Sequence, residues 1–295
     1  MEIKRVGVVG AGTMGAGIAQ VCATAHYEVH LVDVVPEQTQ RAMKAIEQSL
    51  KMFADKNRIS EEVATILGRI ATSQSMEVCK DSNLVVEAVF EDLSLKTDIF
   101  RQLEESVPFH AILATNTSAI SITEIASVTN NPARVVGIHF FSPVPLMKVA
   151  EVIRGLQTSD ETMEMAIEFV KSLDKQPIIV NRDMPGFLLN RINLPSNLEA
   201  IRMVEQGIGT VEDIDKGVKL AFGRPMGIFE IGDIVGLDVT LNACDTIYKE
   251  TKDPKYLPPV LLRRMVKAGR VGKKVGKGWY EYNPNGTRKG EKDRS

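Results

Sequence analysis

The chain has 295 residues, of which 44% are hydrophobic and 25% are charged, and its 36 Lys and Arg against 38 Asp and Glu leave a net charge of −2. This composition is typical of a soluble globular protein of one large or two moderate domains, long enough to bury a core without disulfides or metals. The charge balance excludes a global electrostatic attraction to nucleic acid or to an anionic membrane surface.

The cysteines predict a reducing environment. They are far apart in the sequence, with no C-x-x-C pair and no histidines at zinc spacing: Cys22, Cys79 and Cys244. We therefore expect reduced, buried thiols and no metal site. No apolar run approaches the ~20 residues of a transmembrane helix, and the N-terminal residues lead into a strand pattern without a signal peptide. The sequence predicts a cytoplasmic protein.

The first half of the chain alternates short β-branched runs with helical patterns. Strands are predicted at residues 6–9, 28–32, 84–86, 112–114, 135–138, 148–153 and 176–180. Helices are predicted at residues 14–25, 37–55, 60–67, 93–107 and 161–172, and the second and third form a helical hairpin inserted before the next strand. Strand–helix–strand alternation with apolar strands predicts a mostly parallel sheet covered by helices.

The composition changes near residue 185. Beyond it the patterns are helical, at residues 187–206, 211–221, 228–249 and 260–268, and the polar segment 284–295 is predicted to be disordered. We therefore expect a first domain at residues 1–185 and a second, all-helical domain at residues 186–295.

A glycine-rich turn follows the first predicted strand and opens the first predicted helix. Its residues include Gly10, Gly12, Thr13, Met14 and Gly15. In this context G-x-G-x-x-G predicts a Rossmann-type phosphate cradle, in which Gly12 lets the backbone approach a pyrophosphate. The second strand ends at Asp33, whose carboxylate suits the ribose hydroxyls of NAD and repels a 2′-phosphate. The alternative is a purely structural turn with a surface aspartate.

One of the four histidines is placed for catalysis. His139 ends a predicted strand and precedes a rigid apolar loop, whereas surface or packing roles suit His26, His30 and His110. Ligands of open α/β sheets bind outside the carboxyl ends of strands. Glu151, on the neighbouring predicted strand, is either a partner that orients the imidazole or an unrelated core glutamate. These features predict an NAD-dependent oxidoreductase with a histidine base.

The segment Asn116, Thr117 and Ser118 ends another strand at the same edge. Its polar side chains are candidates for contact with cofactor or substrate, although such segments also cap helices routinely.

Several motifs in order give the chain a family resemblance. They are G-A-G-T-M-G at 10–15, V-V-E-A at 85–88, N-T-S at 116–118, G-I-H-F-F at 137–141, P-V-P-L-M-K-V-A-E at 143–151, P-G-F-L-L-N-R at 185–191 and G-K-K-V-G-K-G at 272–278. Over residues 4–282 the sequence resembles the short-chain L-3-hydroxyacyl-CoA dehydrogenases. The resemblance implies reversible oxidation of an L-3-hydroxyacyl-CoA, 3-hydroxybutyryl-CoA being the expected example, by NAD, in a homodimer formed through the helical domain.

The resemblance also implies roles for individual residues. His139 would be the base and Glu151 its partner, and Ser118 and Asn190 would bind substrate near the reacting carbon. Residues implied at the cofactor site are Glu91, Lys96, Ser118, Ser142 and Lys274, and those implied at coenzyme A are Ser49, Lys56 and Ser118. Ser142 departs from the asparagine usual in the family, and serine keeps a hydrogen-bonding group but has a shorter reach.

Alternatives remain at each level. Lys56 also suits a solvated surface lysine, Lys274 a solvated basic turn, and Asn190 a buried contact between helices. For the whole protein, the alternatives are a dehydrogenase of a hydroxy acid without coenzyme A, such as gulonate or carnitine, and a non-catalytic protein like some lens crystallins. Ser49 and Lys56 argue against the first, and the pair of His139 with Glu151 argues against the second.

Overall fold

The computed structural model describes residues 3–290 and divides into two compact units, Met1–Phe187 and Leu188–Ser295. Within residues 3–290, none of the helices combines the length and the apolar character needed to cross a lipid bilayer.

An eight-stranded sheet forms the centre of the first unit, in the order β3-β2-β1-β4-β5-β6-β7-β8. The strands are β1 (Arg5–Val9), β2 (Glu28–Val32), β3 (Ile70–Ser73), β4 (Leu84–Glu87), β5 (Ile112–Thr115), β6 (Val135–Phe140), β7 (Val149–Ile153) and β8 (Gln176–Val180). All neighbours pair in parallel except β6 and β7, which are antiparallel. This confirms the predicted α/β class with a mostly parallel sheet.

Helices cover both faces of this sheet. They are α1 (Thr13–Thr24), α2 (Pro36–Asp55), α3 (Val63–Leu67), α4 (Leu93–Ser106), α5 (Ile122–Ala126) and α6 (Asp160–Ser172). One hydrophobic core lies on the face of the sheet to which the Val8 side chain belongs, and it contains Ile18 of α1 and Phe169 of α6. The other lies on the face of Val9 and contains Phe100 of α4. Burial on both faces explains why the strands read as continuous apolar runs.

Two elements of the first unit were not predicted. Strand β3 has four residues at the sheet edge, and only Ile70 among them is buried, so its sequence carries too little apolar pattern to be recognised. Helix α5 is a single turn, capped by the Ser121 hydroxyl that accepts from Glu124 N. His110 lies in the turn before β5.

The second unit is built from α7 (Leu189–Glu205), α8 (Val211–Phe222), α9 (Ile228–Val235), α10 (Leu237–Thr251) and α11 (Val260–Lys267). The single helix predicted over residues 228–249 is wrong, because the chain breaks at Gly236 with φ +104°. A residue with a side chain would be strained there, so the glycine marks the break.

Part of the predicted tail is ordered. Residues 284–290, expected to be disordered, form a turn in which Asn283 N donates to Thr287 O at 2.8 Å and Lys289 N to Glu281 O at 2.8 Å. The Arg288 guanidinium lies 3.5 Å from the centroid of the Tyr280 ring and adds a cation–π contact to this turn. The rest of the predicted tail, residues 291–295, lies outside the described residues.

Candidate active site

The glycine-rich turn brings β1 and α1 together at the carboxyl edge of the sheet. Gly10 has φ +101°, and a Cβ there would lie 2.6 Å from Ala88 O. A Cβ at Gly15 would lie 1.7 Å from Gly10 O, so α1 can approach the turn only without a side chain. A Cβ at Gly12, by contrast, would have no atom within 4 Å. The first and third glycines serve packing, and the second leaves open space above the turn.

The amino end of α1 offers unpaired donors to that space. The first hydrogen bond within the helix runs from Ala16 N to Gly12 O, at 2.9 Å. The amides that come before Ala16 therefore have no acceptor within the helix. Gly12 and Thr13 are exposed, and the first turn of the helix contains no acidic residue to neutralise its positive end. Amides without helical partners beside the open space at Gly12 fit the pyrophosphate of a dinucleotide.

Asp33 joins the end of β2 to this turn. Its Oδ2 accepts from Ala11 N at 2.8 Å and its Oδ1 accepts from Val35 N at 3.0 Å. The carboxylate therefore holds the turn in place, and each oxygen keeps a lone pair for a ligand hydroxyl. This placement fits the predicted contact with a ribose.

His139 and Glu151 are directly opposite each other in the antiparallel pair β6–β7. Opposed residues project to the same face with their Cβ atoms about 5 Å apart, which is the reach of an imidazole–carboxylate bond. His139 Nδ1 lies 2.8 Å from Glu151 Oε2, and in the tautomer that carries its proton on Nδ1 the imidazole donates to that oxygen. The two side chains are therefore within hydrogen-bond distance, as the sequence suggested, and this contact leaves Nε2 as the imidazole atom that could exchange a proton with a substrate.

The pair is almost completely withdrawn from water. His139 is 5% exposed and Glu151 0%. The Phe141 ring centroid lies 4.5 Å from that of the imidazole, and the Phe187 centroid lies 5.8 Å from it. In such surroundings the carboxylate acts strongly on the imidazole, because little water screens the two charges. Ser142 follows Phe141 on an exposed loop.

Glu91 organises the loop that carries Ser118. Its Oε1 accepts from the Thr117 hydroxyl at 2.6 Å, from Ser118 N at 2.8 Å and from Ala119 N at 3.0 Å. These bonds fix the backbone of Ser118. Among the described residues, the Ser118 hydroxyl has no partner and remains available to a ligand.

Sequence reasoning missed Glu87, the last residue of β4. It is 0% exposed, and its carboxylate accepts from Lys96 Nζ at 2.7 Å, from the Thr115 hydroxyl at 2.7 Å and from Val89 N at 2.7 Å. The available signal was an acidic residue ending an otherwise apolar run, since a buried carboxylate needs partners.

Lys96 therefore has protein partners. It is 1% exposed, and besides Glu87 its Nζ lies 3.5 Å from Glu91 Oε2. The buried ammonium group links the carboxylates of Glu87, at the end of β4, and Glu91, after it. The contact of Lys96 with the cofactor, which the family resemblance implies, stays a prediction.

The remaining predicted residues lie on helices and turns. Ser49 is half-buried on α2, and Lys56 is exposed where that helix ends. In the second unit, Asn190 is the second residue of α7 and is half-buried. Lys274 Nζ donates to both oxygens of Asp238, at 2.8 and 2.6 Å. Their roles toward substrate and cofactor stay predictions.

Comparison with known proteins gives a consistent result. Residues 5–184 match the model of the 3-hydroxyacyl-CoA dehydrogenase NAD binding domain, and residues 186–282 match the C-terminal domain of the same enzymes. A probable 3-hydroxybutyryl-CoA dehydrogenase of Bacillus subtilis is 44% identical, covering 96% of this chain and 98% of its own. The mitochondrial hydroxyacyl-coenzyme A dehydrogenase of Homo sapiens is 42% identical, with 95% and 91% covered.

A solved structure extends the likeness to the fold. The (S)-3-hydroxybutyryl-CoA dehydrogenase PaaH1 of Ralstonia eutropha superposes with a TM-score of 0.90 at 42% identity, covering 96% of this chain and 100% of that one. Because both family models match in order and together span nearly the whole sequence, the chain belongs to the 3-hydroxyacyl-CoA dehydrogenase family.

Proposed function

We propose that this protein catalyses the reversible NAD-dependent oxidation of L-3-hydroxyacyl-CoA, with 3-hydroxybutyryl-CoA as substrate and acetoacetyl-CoA as product. The observation that carries the proposal is the buried bond between His139 and Glu151 at the sheet edge that also carries the glycine-rich turn. Hydroxyl oxidation needs a base for the proton, and an imidazole oriented by a carboxylate supplies one near neutral pH.

The chain's own groups account for the movement of the proton. His139 Nε2 takes the proton of the C3 hydroxyl, and Glu151 stabilises the resulting imidazolium through the Nδ1 bond. In the reverse direction the imidazolium returns the proton to the carbonyl oxygen. NAD, when bound, supplies the hydride acceptor. Gly12, Thr13 and Asp33 would hold it, because they combine unpaired amides with a carboxylate suited to ribose.

Ser118 and Asn190 are proposed to bind the substrate near the reacting carbon. Support for Ser118 comes from its backbone, which Glu91 fixes, and from its available hydroxyl. Ser49 and Lys56 are proposed to bind coenzyme A, since an exposed ammonium group at the end of α2 suits a phosphate.

We further propose that the enzyme is a cytoplasmic homodimer. The three cysteines are free and buried, as in proteins of reducing compartments. In the second unit, exposed apolar side chains include Ile192, Leu220 and Phe222, each more than two-thirds exposed. Apolar surface of this kind favours association of two copies, and light scattering after gel filtration measures the mass directly.

The test of the activity is an initial-rate assay of NADH oxidation with acetoacetyl-CoA. We expect turnover with acetoacetyl-CoA and none with 3-dehydrocarnitine or 3-dehydrogulonate. Turnover with either of those and not with the thioester would contradict the proposed substrate class. A series of 3-oxoacyl-CoA thioesters of increasing length would then define the preferred chain.

A further inference from the structure

We propose that Asn116 is a positioning residue for His139, acting through the main chain of Phe140 to hold the strand end that presents the imidazole. The proposal rests on the proposed role of His139 in proton transfer. In this role Asn116 contributes to the reaction by positioning His139. The sequence alone indicated only that its polar side chain could reach a ligand.

The need for such a residue follows from the lengths of β5 and β6. The two strands pair from Leu113 with Val135 to Thr115 with Gly137, and β5 ends there. Strand β6 continues to Phe140. Within the part of the chain that the structure describes, the register with β5 therefore stops at Gly137, before His139 and Phe140.

The Asn116 side chain completes this missing part of the ladder. Its Oδ1 accepts from Phe140 N at 2.8 Å, and its own backbone N donates to Glu87 O at 2.8 Å. Phe140 is 1% exposed and Asn116 is 9% exposed. No bulk water reaches the Phe140 amide, and a buried amide without an acceptor is costly. Asn116 thus ties the end of β6 to β4 and β5 through one residue.

This bond bears on the position of the imidazole because Phe140 is the next residue after His139. Glu151 holds the ring from the β7 side, through Nδ1. Asn116 holds the following peptide from the β5 side. Without it, the end of β6 would be anchored on one side only, just before the exposed Ser142 loop. Displacement of a reacting group by about 1 Å can lower a rate by about 10²-fold.

An amide suits this position because it accepts a hydrogen bond without charge. The charged groups on the neighbouring elements are Glu151 on β7, Glu87 on β4, Glu91 after β4 and Lys96 on α4, whose ammonium group pairs with Glu87. An aspartate would accept from Phe140 N equally well. Its added negative charge would favour the imidazolium form of His139, so the two effects can be separated by substitution.

The experiment compares Asn116→Ala and Asn116→Asp with Asn83→Ala. Asn83 is the matched control, since its Oδ1 also accepts from backbone amides, Lys4 N at 2.9 Å and Arg5 N at 3.1 Å. It lies at the amino ends of the strands of the same sheet, whereas Asn116 lies at their carboxyl ends. Stopped-flow hydride transfer, the Kd of NADH and the pH profile of kcat/KM for 3-hydroxybutyryl-CoA oxidation are measured for each variant.

We expect Asn116→Ala to slow hydride transfer about tenfold to a hundredfold, with the Kd of NADH within about twofold of wild type. Asn83→Ala should leave hydride transfer within about twofold. Asn116→Asp should transfer hydride faster than Asn116→Ala at its optimal pH, with the acid limb of its profile moved to higher pH. If residue 116 supported only the stability of the fold and did not act on the end of β6, the acid limb of the Asn116→Asp profile would stay at the wild-type pH.

Unchanged hydride transfer in Asn116→Ala would overturn the proposal, as would equal slowing in Asn83→Ala. If Asn116→Ala does not fold, an unmoved acid limb in Asn116→Asp overturns it. Failure of the proposed function has a different signature, since His139→Gln would then transfer hydride at the wild-type rate whatever the Asn116 variants do.

Discussion

At the scale of single residues, the site depends on two carboxylates that act on neighbouring groups. Glu151 orients the imidazole of His139 from the opposite strand. Asp33 holds the glycine-rich turn through Ala11 N while presenting charge at the end of β2. Each site can be tested by substituting a side chain of similar size that lacks the charge or the ability to exchange a proton.

The first prediction concerns the proton. His139→Gln should lower kcat by about 10²–10⁴-fold, because glutamine keeps a donor for Glu151 but cannot take the hydroxyl proton. NADH binding should stay within about twofold of wild type, measured by fluorescence titration. His110→Gln, in an exposed turn, is the control and should be fully active. Normal hydride transfer in His139→Gln would reject the mechanism.

The second prediction concerns the choice between dinucleotides. Asp33 should make kcat/KM for NADH exceed that for NADPH by more than about tenfold, because its charge opposes a 2′-phosphate at short range. Asp33→Asn should reduce the ratio while keeping one acceptor in the turn. Asp81→Asn removes the same charge from the segment preceding β4 and should leave the ratio unchanged. A wild-type preference for NADPH would show that Asp33 does not face the ribose.

At the scale of elements, the helical hairpin α2–α3 carries the proposed coenzyme A contact. Helix α2 buries Ala42, Ile46 and Leu50 in the core that it shares mainly with α1 and α3, and the residues around its end at Asp55 are exposed. The apolar stripe sets which face of the helix is left for a ligand.

Lys56→Ala should raise the KM for acetoacetyl-CoA about threefold to tenfold, with kcat within about twofold. A contact remote from the reacting carbon binds ground state and transition state alike, so its loss appears in KM. Lys51→Ala is the control on the same helix, because its ammonium group already pairs with Glu47 at 2.6 Å. Equal KM values for the two variants would return Lys56 to the role of a solvated surface lysine.

Elements with strong local patterns were predictable, and contacts between distant segments were not. The glycine-rich turn and the strand before His139 follow from spacing and apolar runs. The bond from Asn116 to Phe140 depends on where β5 ends relative to β6, and the sequence does not encode that register locally. Strand β3 was missed because only one of its four residues is buried, and the break at Gly236 was missed because a single glycine within a helical pattern does not by itself end a helix.

At the scale of the whole chain, carboxylates that accept from backbone amides hold turns in both units. In the second unit two buried aspartates collect amide and hydroxyl donors from distant segments. Asp215 on α8 accepts from Phe229 N at 2.8 Å and from the Tyr280 hydroxyl at 2.8 Å. Asp233 on α9 accepts from Trp279 N at 2.8 Å. A Cβ at Gly278 would lie 1.9 Å from Asp233 Oδ1, so the glycine-rich segment there fits around a carboxylate.

These carboxylates predict a component of stability that increases in mild acid. Burial raises the pKa of Asp215 above its usual 3.8, against the opposing effect of the bond from Phe229 N. Between 3.8 and that raised pKa, the folded chain binds a proton that the unfolded chain does not. The free energy of unfolding then rises as pH falls through the window, by at most about 1.4 kcal/mol per pH unit.

Urea unfolding of wild type and Asp215→Asn between pH 7 and pH 4 tests this sign. The advantage of wild type over the variant should grow as pH falls, because only wild type gains a proton on folding. Asp253→Asn is the control without this effect: the bond from the Lys255 side chain holds the pKa of Asp253 below its usual 3.8, so wild type should keep its advantage down to pH 4 and lose it only at lower pH. An advantage over Asp215→Asn that shrinks in acid would show that the Asp215 carboxylate is stabilised in its charged form by its donors more than burial penalises it.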